Sequence, residues 1–315
     1  MRVKRKRLAA IDVGTNSFHL IAVEFDRRGR KFKILDREKE MVRLGDGGMK
    51  RLTSGAMRRG VKTLKKFKSI ADSFDAPVRA IATSAVREAN NGKRFIERVK
   101  KETGIKIETV SGKKEARLIY NGVLSALPLR DKKILLVDIG GGSTEFLIGH
   151  KGKALYSASL KLGAVRLTRM FFPKGRADFE AIEKCKAHIA RLLRPVCARV
   201  RKEKIACVVG TSGTIFNMAR MIRLRREGDK RFKNGKLVFS YDGLFEMTGE
   251  ILAAKDVDQR AEIYGLDAGR VDIITAGALI LREIFKMFEI KDMTVSRGAL
   301  REGIVVDTTA ASLPR

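Results

Sequence analysis

Two hydrophobic patterns alternate along the chain: short apolar runs, and longer segments with an apolar residue every three or four positions. The runs at 8–12 and 18–25 surround a Gly-Thr-Asn-Ser turn and predict a β-hairpin. The segment 54–75 places apolar residues such as Met57 and Val61 on one helical face and basic residues on the other. This spacing predicts an amphipathic helix.

The same two patterns predict most of the remaining elements. Strands are expected at 78–82, 105–110, 205–209 and 293–295, and helices at 93–103, 113–126, 178–203, 241–254 and 270–288. Alternating strands and helices are typical of α/β proteins. Pro128 and the charged residues 130–133 indicate a domain boundary, so we predict domains at 1–127 and 128–315.

The opening pattern returns after that boundary. Ile11-Asp-Val-Gly-Thr-Asn-Ser17 and Val137-Asp-Ile-Gly-Gly-Gly-Ser143 align without a gap at an offset of 126 residues. Each is an apolar strand that ends near an aspartate, followed by a glycine-bearing turn, a serine and a second apolar strand. Such self-similarity predicts a duplicated domain. We expect two α/β domains, each with a mixed sheet and flanking helices, that face each other across a cleft holding the active site.

Composition narrows the class of partner. The 315 residues are 44% apolar, enough for a sizeable core, and 67 lysines and arginines face 36 acidic residues, a net charge of +31. This charge attracts polyanions in general: nucleic acid, an anionic membrane or polyphosphate. Proteins that bind single-stranded nucleic acid stack bases on aromatic residues, whereas this chain has no tryptophan and four tyrosines. Nucleic acid is therefore not expected as the main partner, although a polyanion-binding protein remains an alternative.

The sequence also indicates a cellular compartment. No apolar run approaches the roughly 20 residues that span a bilayer, and Asp12 interrupts the apolar stretch after the basic opening 1–7, unlike a signal peptide. Cys185, Cys197 and Cys207 have neither a disulfide nor a zinc spacing, so we expect reduced thiols. A cytoplasmic protein is expected.

Three glycine-bearing turns after predicted strands carry candidate phosphate chemistry. Glycine and small hydroxyl residues let the backbone approach an anion, and consecutive N–H groups form a concave donor site. A helix follows the third turn directly and adds the positive end of its dipole. The chain has neither a Walker A loop nor a Gly-x-Gly-x-x-Gly helix start. The candidate phosphate-binding residues are Gly14, Thr15, Asn16, Ser17, Gly140, Gly141, Gly142, Ser143, Gly210, Thr211, Ser212 and Gly213.

Acidic residues lie beside two of these turns. Asp12 and Asp138 end the first strand of each half, and Glu145 begins the strand that returns after Asp138. A carboxylate beside a phosphate repels it unless a cation lies between them, and oxygen ligands suit Mg²⁺, with Mn²⁺ as an alternative. We predict these three acids as metal ligands; the alternative is that they cap turns.

Six motifs, in order along the chain, resemble the exopolyphosphatase / guanosine pentaphosphate phosphohydrolase family. They are Ile11-Asp-Val-Gly-Thr-Asn-Ser-Phe-His19, Ala82-Thr-Ser-Ala-Val-Arg87, Ser111-Gly-x-x-Glu-Ala-Arg117, Asp138-Ile-Gly-Gly-Gly-Ser-Thr-Glu145, Gly210-Thr-Ser-Gly-Thr214 and Gly298-Ala-Leu-Arg-Glu-Gly303. The resemblance runs from about residue 8 to 305. It implies duplicated ribonuclease H-like domains, as in sugar kinases, heat-shock ATPases and actin.

The resemblance also implies roles for single residues. Glu115 matches the glutamate that activates water, and Arg87 matches a basic residue of the catalytic site. The implied activity is hydrolysis of terminal phosphates from inorganic polyphosphate; conversion of guanosine pentaphosphate to tetraphosphate, or an ATPase or kinase activity of the wider superfamily, are the alternatives. A homodimer is also expected.

Some features depart from the family pattern or stay open. Lys114 and Arg297 stand where the family often has acids, and both add positive charge. The basic helix face at 58–68 and the basic segment 225–236 predict either solvated surface or a track for a polyanionic substrate. His19 is expected to pack or form a hydrogen bond near the first turn.

Overall fold

The computed structural model describes residues 6–25, 32–225 and 237–311, which form two compact units. The first unit consists of the chain up to Pro128 together with the segment from Gly298, and the second consists of Leu129–Arg297. Residues 1–5 of the basic opening and residues 226–236 of the basic segment lie outside the described residues.

The first unit is built on a five-stranded mixed sheet. Its strands are β1 (Lys6–Val13), β2 (Phe18–Phe25), β3 (Phe32–Glu40), β4 (Val78–Ala82) and β5 (Ile107–Thr109), in the order β3-β2-β1-β4-β5. The first three strands are antiparallel, and β4 and β5 run parallel to β1. The helices between them are α1 (Ser54–Ser73), α2 (Ser84–Glu88), α3 (Gly92–Thr103) and α4 (Gly112–Ala126).

The second unit is built on a six-stranded sheet. Its strands are β6 (Ile134–Ile139), β7 (Thr144–His150), β8 (Lys153–Leu160), β9 (Cys207–Thr211), β10 (Leu237–Ser240) and β11 (Asp292–Val295), in the order β10-β11-β9-β6-β7-β8. Its helices are α5 (Ala164–Phe171), α6 (Phe179–Val200), α7 (Gly213–Arg225), α8 (Tyr241–Ala253), α9 (Val257–Ala261) and α10 (Ile274–Met287), with a 3-10 turn at Ala268–Arg270.

The two sheets repeat one topology. In each, an antiparallel hairpin and a third edge strand come first in the chain, and two later strands add parallel to the first strand on its other side. The second sheet has one further edge strand, β10, which is antiparallel to β11. The register repeats too: Asp12 pairs with His19 across the first hairpin, and Asp138 pairs with Glu145 across the second. The prediction of a duplicated α/β fold with two mixed sheets flanked by helices is confirmed.

The predicted amphipathic helix is confirmed as α1. Thr53 caps it by accepting a 3.1 Å hydrogen bond from the N–H of Ala56, and Met57, Val61 and its other apolar residues are buried in the core of the first unit. Gly60 allows α1 to approach α3 closely, because a Cβ there would lie 2.9 Å from the ring of Phe95. The buried face therefore fixes both helices against the same side of the core.

The last helix, α11 (Leu300–Ala311), packs in the first unit against α4. The sequence-based boundary assigned it to the second half. Its contact with α4 is backbone to backbone: a Cβ on Gly303 would lie 1.8 Å from the carbonyl oxygen of Leu118, and one on Gly122 would lie 2.0 Å from that of Ala299. Only glycine fits such a close approach of two backbones. The local sequence does not predict which element a glycine will contact, so the contact between α11 and α4 could not be predicted.

Two further observations concern membrane-spanning helices and the cysteine thiols. None of the helices in the described ranges is both long and apolar enough to cross a bilayer. Cys185 and Cys197 are buried, Cys207 is half-buried, and all three are free thiols.

Candidate functional site

The first candidate turn follows Asp12 at the carboxyl end of β1. A Cβ on Gly14 would lie 2.6 Å from the carbonyl oxygen of Ser17, so the turn needs glycine at that position. A contact with the start of α2 stabilises the turn, because Thr15 Oγ1 and Ser84 Oγ form a buried hydrogen bond of 3.0 Å. His19 Nε2 bonds Ser17 Oγ at 2.8 Å, as expected from the sequence.

Two buried polar atoms beside this turn have no hydrogen-bond partner among the residues that the structure describes. They are Oδ1 of Asp12, an acceptor, and Nδ2 of Asn16, a donor. A buried polar group without a partner costs about 1–3 kcal/mol, so such groups call for a ligand or water. An anion would accept from Asn16 and a cation would bind Asp12, which is the combination that a metal-bound phosphate presents.

Glu115 lies in the first turn of α4, which Ser111 caps with a 3.3 Å hydrogen bond from the N–H of Lys114. The Glu115 carboxylate is buried, and its Oε2 accepts a 2.8 Å hydrogen bond from Nη1 of Arg87. The same Nη1 donates to the carbonyl oxygen of Val110 at 2.9 Å. The structure thus brings together the two residues that the family resemblance singled out, which lie on α4 and α2.

Burial raises the pKa of Glu115, and the hydrogen bond and charge of Arg87 oppose that rise. Burial also raises the pKa of Asp12 to about 7, with the negative charge of Glu115 as the next cause and the positive charge of Arg301 opposing it. The two carboxyls therefore differ in role. The pKa of Glu115 is raised but opposed by a direct cationic partner, whereas Asp12 holds its proton up to neutral pH.

Two residues of α11 also act on this site, and the sequence reasoning gave them no role. The charges of Arg301 and Glu302 both affect Asp12. Glu302 is buried and accepts a 2.9 Å hydrogen bond from the N–H of Ala299, which starts the helix as half of a capping box. Both residues belong to the motif Gly298–Gly303. The glycines of this motif indicate that another element approaches closely, but the sequence does not identify that element as α4.

The second unit carries its own pair of acids. Asp138 is the penultimate residue of β6 and lies opposite Glu145 on β7 and opposite Thr211 on β9. Glu145 is buried, and its Oε1 accepts a 2.7 Å hydrogen bond from Ser159 Oγ of β8. The pairing puts both carboxylate-bearing residues at one end of the sheet, as the sequence predicted for a metal or phosphate site.

The second candidate turn, 140–143, is held by the start of α5. The carbonyl oxygen of Gly141 accepts a 3.0 Å hydrogen bond from the N–H of Arg166, and that of Gly142 accepts a 2.7 Å bond from Arg166 Nε. Gly163 lets the chain pass closely, since a Cβ there would lie 2.4 Å from the carbonyl oxygen of Gly141. These bonds orient the turn's carbonyl groups toward α5.

The third candidate turn joins β9 to α7. Ser212 has a φ of 98°, a backbone conformation that costs about 1–3 kcal/mol in a residue with a side chain. Gly213 begins α7 directly over a buried guanidinium, because a Cβ there would lie 1.6 Å from Nη2 of Arg270. Burial lowers the pKa of Arg270, and the charges of Asp267 and Asp272 oppose this. A strained turn at a helix N-terminus beside a buried cation suits an anion.

Metal ligation remains a prediction for the three acids. Within the described ranges, no group of three or more His, Cys, Asp or Glu side chains is arranged as a protein-only metal site. Mg²⁺ commonly binds through one or two carboxylates, with water and substrate phosphates completing the shell. The unpartnered Oδ1 of Asp12 and the opposed pair Asp138 and Glu145 fit that mode.

Comparison with known proteins supports the resemblance seen in the sequence. The sequence model of the Ppx/GppA phosphatase family matches residues 23–311. A curated protein of Haemophilus influenzae with the name "Putative exopolyphosphatase" is 32% identical over 303 residues, which are 95% of this chain and 90% of that protein.

Solved structures agree over the whole length. The crystal structure of an exopolyphosphatase from Cytophaga hutchinsonii matches with a TM-score of 0.88 at 30% identity, covering 97% of this chain and 98% of that one. The Aquifex aeolicus member of the Ppx/GppA family matches with a TM-score of 0.79 at 27% identity, covering 99% and 100%. The chain belongs to the Ppx/GppA phosphatase family.

Proposed function

We propose that this protein is an exopolyphosphatase, which hydrolyses the terminal phosphoanhydride bond of inorganic polyphosphate and releases orthophosphate. The buried, ion-paired Glu115 carries the proposal, because it provides a positioned carboxylate base beside a turn with an unpartnered donor, Asn16. The similarity to an exopolyphosphatase of Cytophaga hutchinsonii and the net charge of +31 support a polyanionic phosphate as the substrate.

Glu115 acts as the general base. Its carboxylate accepts a proton from a water molecule, the water oxygen forms a bond to the terminal phosphorus, and the bond from that phosphorus to the bridging oxygen breaks. The shortened chain leaves with the bridging oxygen. Arg87 favours the ionised form of Glu115 and fixes its direction, since Nη1 is itself anchored on the carbonyl oxygen of Val110.

The glycine-bearing turns offer donors to the oxygens of phosphate groups. The candidate donors are backbone N–H groups of 14–17 in the first unit and of 141–143 and 212–213 in the second, where α7 adds the positive end of its dipole. Asn16 Nδ2 adds a side-chain donor to the first turn. Hydrogen-bond donors that are already oriented need no rearrangement when charge develops on these oxygens, which is the main source of catalysis in phosphoryl transfer.

Mg²⁺ or Mn²⁺ completes the proposal. The candidate residues that would hold such a cation are Asp12 in the first unit and, in the second, Asp138 and Glu145. When bound, the cation neutralises phosphate charge and polarises the terminal phosphorus. A cation at Asp12 would also bring the pKa of that carboxyl down from about 7, so metal binding would release its proton. We further expect a homodimer and a cytoplasmic location, which light scattering and cell fractionation can check.

One experiment tests the function directly. Orthophosphate release is measured from long-chain polyphosphate and, in parallel, from guanosine pentaphosphate, each with Mg²⁺ and with a chelator. A kcat/KM for polyphosphate above that for the nucleotide supports the proposal. A preference for guanosine pentaphosphate would reassign the substrate, and no release from either would contradict the proposal as a whole.

A further inference from the structure

A cavity of about 260 Å³ lies in the first unit where the N-terminal ends of α1 and α3 come together. Three arginines line it: Arg51 before α1, and Arg94 and Arg98 on α3. Its volume far exceeds the roughly 10–15 Å³ that accommodates one water. We call it the arginine cavity.

The positive charge of the arginine cavity is only partly compensated: Asp46 accepts a 3.2 Å hydrogen bond from Thr53, which lines the cavity, and pairs with Arg59. Arg98 pairs with Glu102 at 2.7 Å, but neither Arg51 nor Arg94 has a carboxylate within ion-pair distance in the part of the chain that the structure describes. Neither α1 nor α3 carries an acidic residue in its first turn. Two positive helix ends and two unpaired guanidinium groups therefore share one cavity, an arrangement that an anion stabilises.

The walls of the arginine cavity are fixed. Asn91 holds Leu52 through two hydrogen bonds of 2.9 Å, one to its N–H and one to its carbonyl oxygen. The N–H of Asn90 donates to the carbonyl oxygen of Lys50 at 3.0 Å. Gly60 and Phe95 pack α1 against α3 one to two turns away. A ligand would thus meet a preformed site, which lowers the ordering cost of binding.

The basic face of α1, which the sequence predicts as solvated surface or as a track for the substrate, differs from the arginine cavity in how its charges are paired. Lys66 pairs with Glu38 at 2.9 Å and with Glu40 at 2.7 Å, and Lys65 pairs with Glu102 at 2.8 Å. Acids on β3 and α3 therefore neutralise much of that face. Lys65 and Lys66 thus have carboxylate partners, which Arg51 and Arg94 lack among the described residues.

The arginine cavity is also connected to the first candidate turn. The segment between them begins with two hydrogen bonds to that turn. The N–H of Arg43 donates to the carbonyl oxygen of Asn16 at 2.7 Å, and the N–H of Gly45 donates to the carbonyl oxygen of Thr15 at 2.9 Å. It ends at Arg51. Since α1 precedes β4 and α3 precedes β5, both helices begin at the carboxyl edge of the parallel strands, where the turn also lies.

We propose that the arginine cavity binds phosphate groups of the polyphosphate chain away from the bond that is cleaved. This rests on the proposed function for the identity of the ligand. The cavity makes affinity depend on chain length, because only a chain long enough to reach it gains contacts with Arg51 and Arg94. A substrate of three phosphates gains little from it.

The test compares two double variants with the wild type. Arg51→Gln with Arg94→Gln removes both unpaired guanidinium groups, and Lys100→Gln with Lys101→Gln removes two exposed charges from the opposite end of α3. KM is measured for long-chain polyphosphate and for tripolyphosphate. We expect the arginine variant to raise KM for the long chain by about tenfold and for tripolyphosphate by less than about twofold. The lysine variant should change both equally and slightly.

Equal increases in KM for long and short chains, or the same effect in the lysine variant, would overturn the proposal. If the wild type released no orthophosphate from either chain, the proposed function would fail, and equilibrium binding of long-chain polyphosphate by the same three proteins would decide about the cavity. Retained binding in the arginine variant would then refute it. Circular dichroism monitors folding, and the single substitution Arg94→Gln, at an exposed position, replaces the double variant if that one unfolds.

Discussion

Arg87 on α2 holds the buried carboxylate of Glu115 on α4 through an ion pair of 2.8 Å between Nη1 and Oε2. The pair joins two helices that are separated by α3 and β5 in the chain. The ion pair fixes the direction of the carboxylate and favours its ionised form against the burial that raises its pKa. A general base needs both a fixed direction and an ionised form.

Glu115→Gln should abolish turnover and leave binding of polyphosphate nearly intact. The amide keeps the shape and can still accept from Arg87, but it cannot take the proton of water. We expect kcat to fall by about 10² to 10⁴-fold with little change in the dissociation constant. A variant that keeps more than half of the wild-type kcat would remove Glu115 from the mechanism.

Arg87→Met should move the acid limb of the pH–rate profile to higher pH. Without the guanidinium, burial raises the pKa of Glu115 unopposed. Arg87→Lys keeps a point charge and should shift the limb less. An unchanged limb in the methionine variant would show that Arg87 does not control the ionisation of Glu115, whatever happens to kcat.

Asp12→Asn should stabilise the protein at neutral pH in buffer with a chelator. In the unfolded chain Asp12 ionises near its ordinary pKa of 3.8, whereas in the folded protein it holds its proton to about 7. A raised carboxyl pKa costs stability that grows from about pH 4 to pH 7 and is constant above. Removing it should raise the free energy of unfolding at pH 8 by up to about 4 kcal/mol and much less at pH 4.

Urea unfolding of both proteins between pH 4 and pH 8 measures this difference. The wild type and the asparagine variant should approach each other as the pH falls. If the difference in free energy of unfolding is the same at pH 5 and pH 8, Asp12 does not titrate in this range.

Gly303→Ala should destabilise the first unit by at least about 2 kcal/mol, because its Cβ would fall 1.8 Å from the carbonyl oxygen of Leu118. Gly249→Ala is the matched control. Gly249 lies in α8, where a Cβ would meet nothing within 4 Å, so alanine there should stabilise by about 0.5–1 kcal/mol. The midpoint of thermal unfolding distinguishes them, and equal midpoints would contradict the close contact of α11 with α4.

Chelation should abolish activity, and Mg²⁺ or Mn²⁺ should restore it. Asp138→Asn should raise the Mg²⁺ concentration for half-maximal activity by about tenfold or more, because a neutral amide is a weaker ligand for a hard cation. Asp131→Asn, an exposed aspartate of the same unit, should leave it unchanged. Full activity after exhaustive chelation would contradict the metal assignment.

The sequence predicts the repeated hairpins well because their physical signal is local. A buried strand, an aspartate, a glycine-bearing turn and a second buried strand follow each other directly, and the offset of 126 residues is readable without a structure. Asp138 and Glu145 could be assigned to one end of the sheet for the same reason, since the tight turn fixes their register.

The edge strand β3 shows what local pattern misses. Most residues of Phe32–Glu40 are charged, so the segment has little strand signal of its own. Its extended form comes from pairing with β2, and its acids Glu38 and Glu40 find a partner in Lys66 of α1. A basic helix face looks uncompensated in sequence whenever the compensating acids lie on another element.

The candidate site was predicted in part for a similar reason. The turns could be read directly, but the importance of Glu115 came from resemblance, because burial and pairing with Arg87 depend on how α2 and α4 pack. Arg301 received no role, since its influence on Asp12 requires α11 to return to the first unit. Long-range contacts of this kind are set by tertiary packing.

The return of α11 has a consequence for the biosynthesis of the chain. A ribosome that has made β1–α4 must translate all of the second unit before it supplies the helix whose backbone rests on α4. At about 5–20 residues per second, a nascent first unit waits many seconds with its α4 surface uncovered, while the contiguous second unit can fold as soon as it emerges. The order of maturation should therefore run opposite to the order of synthesis.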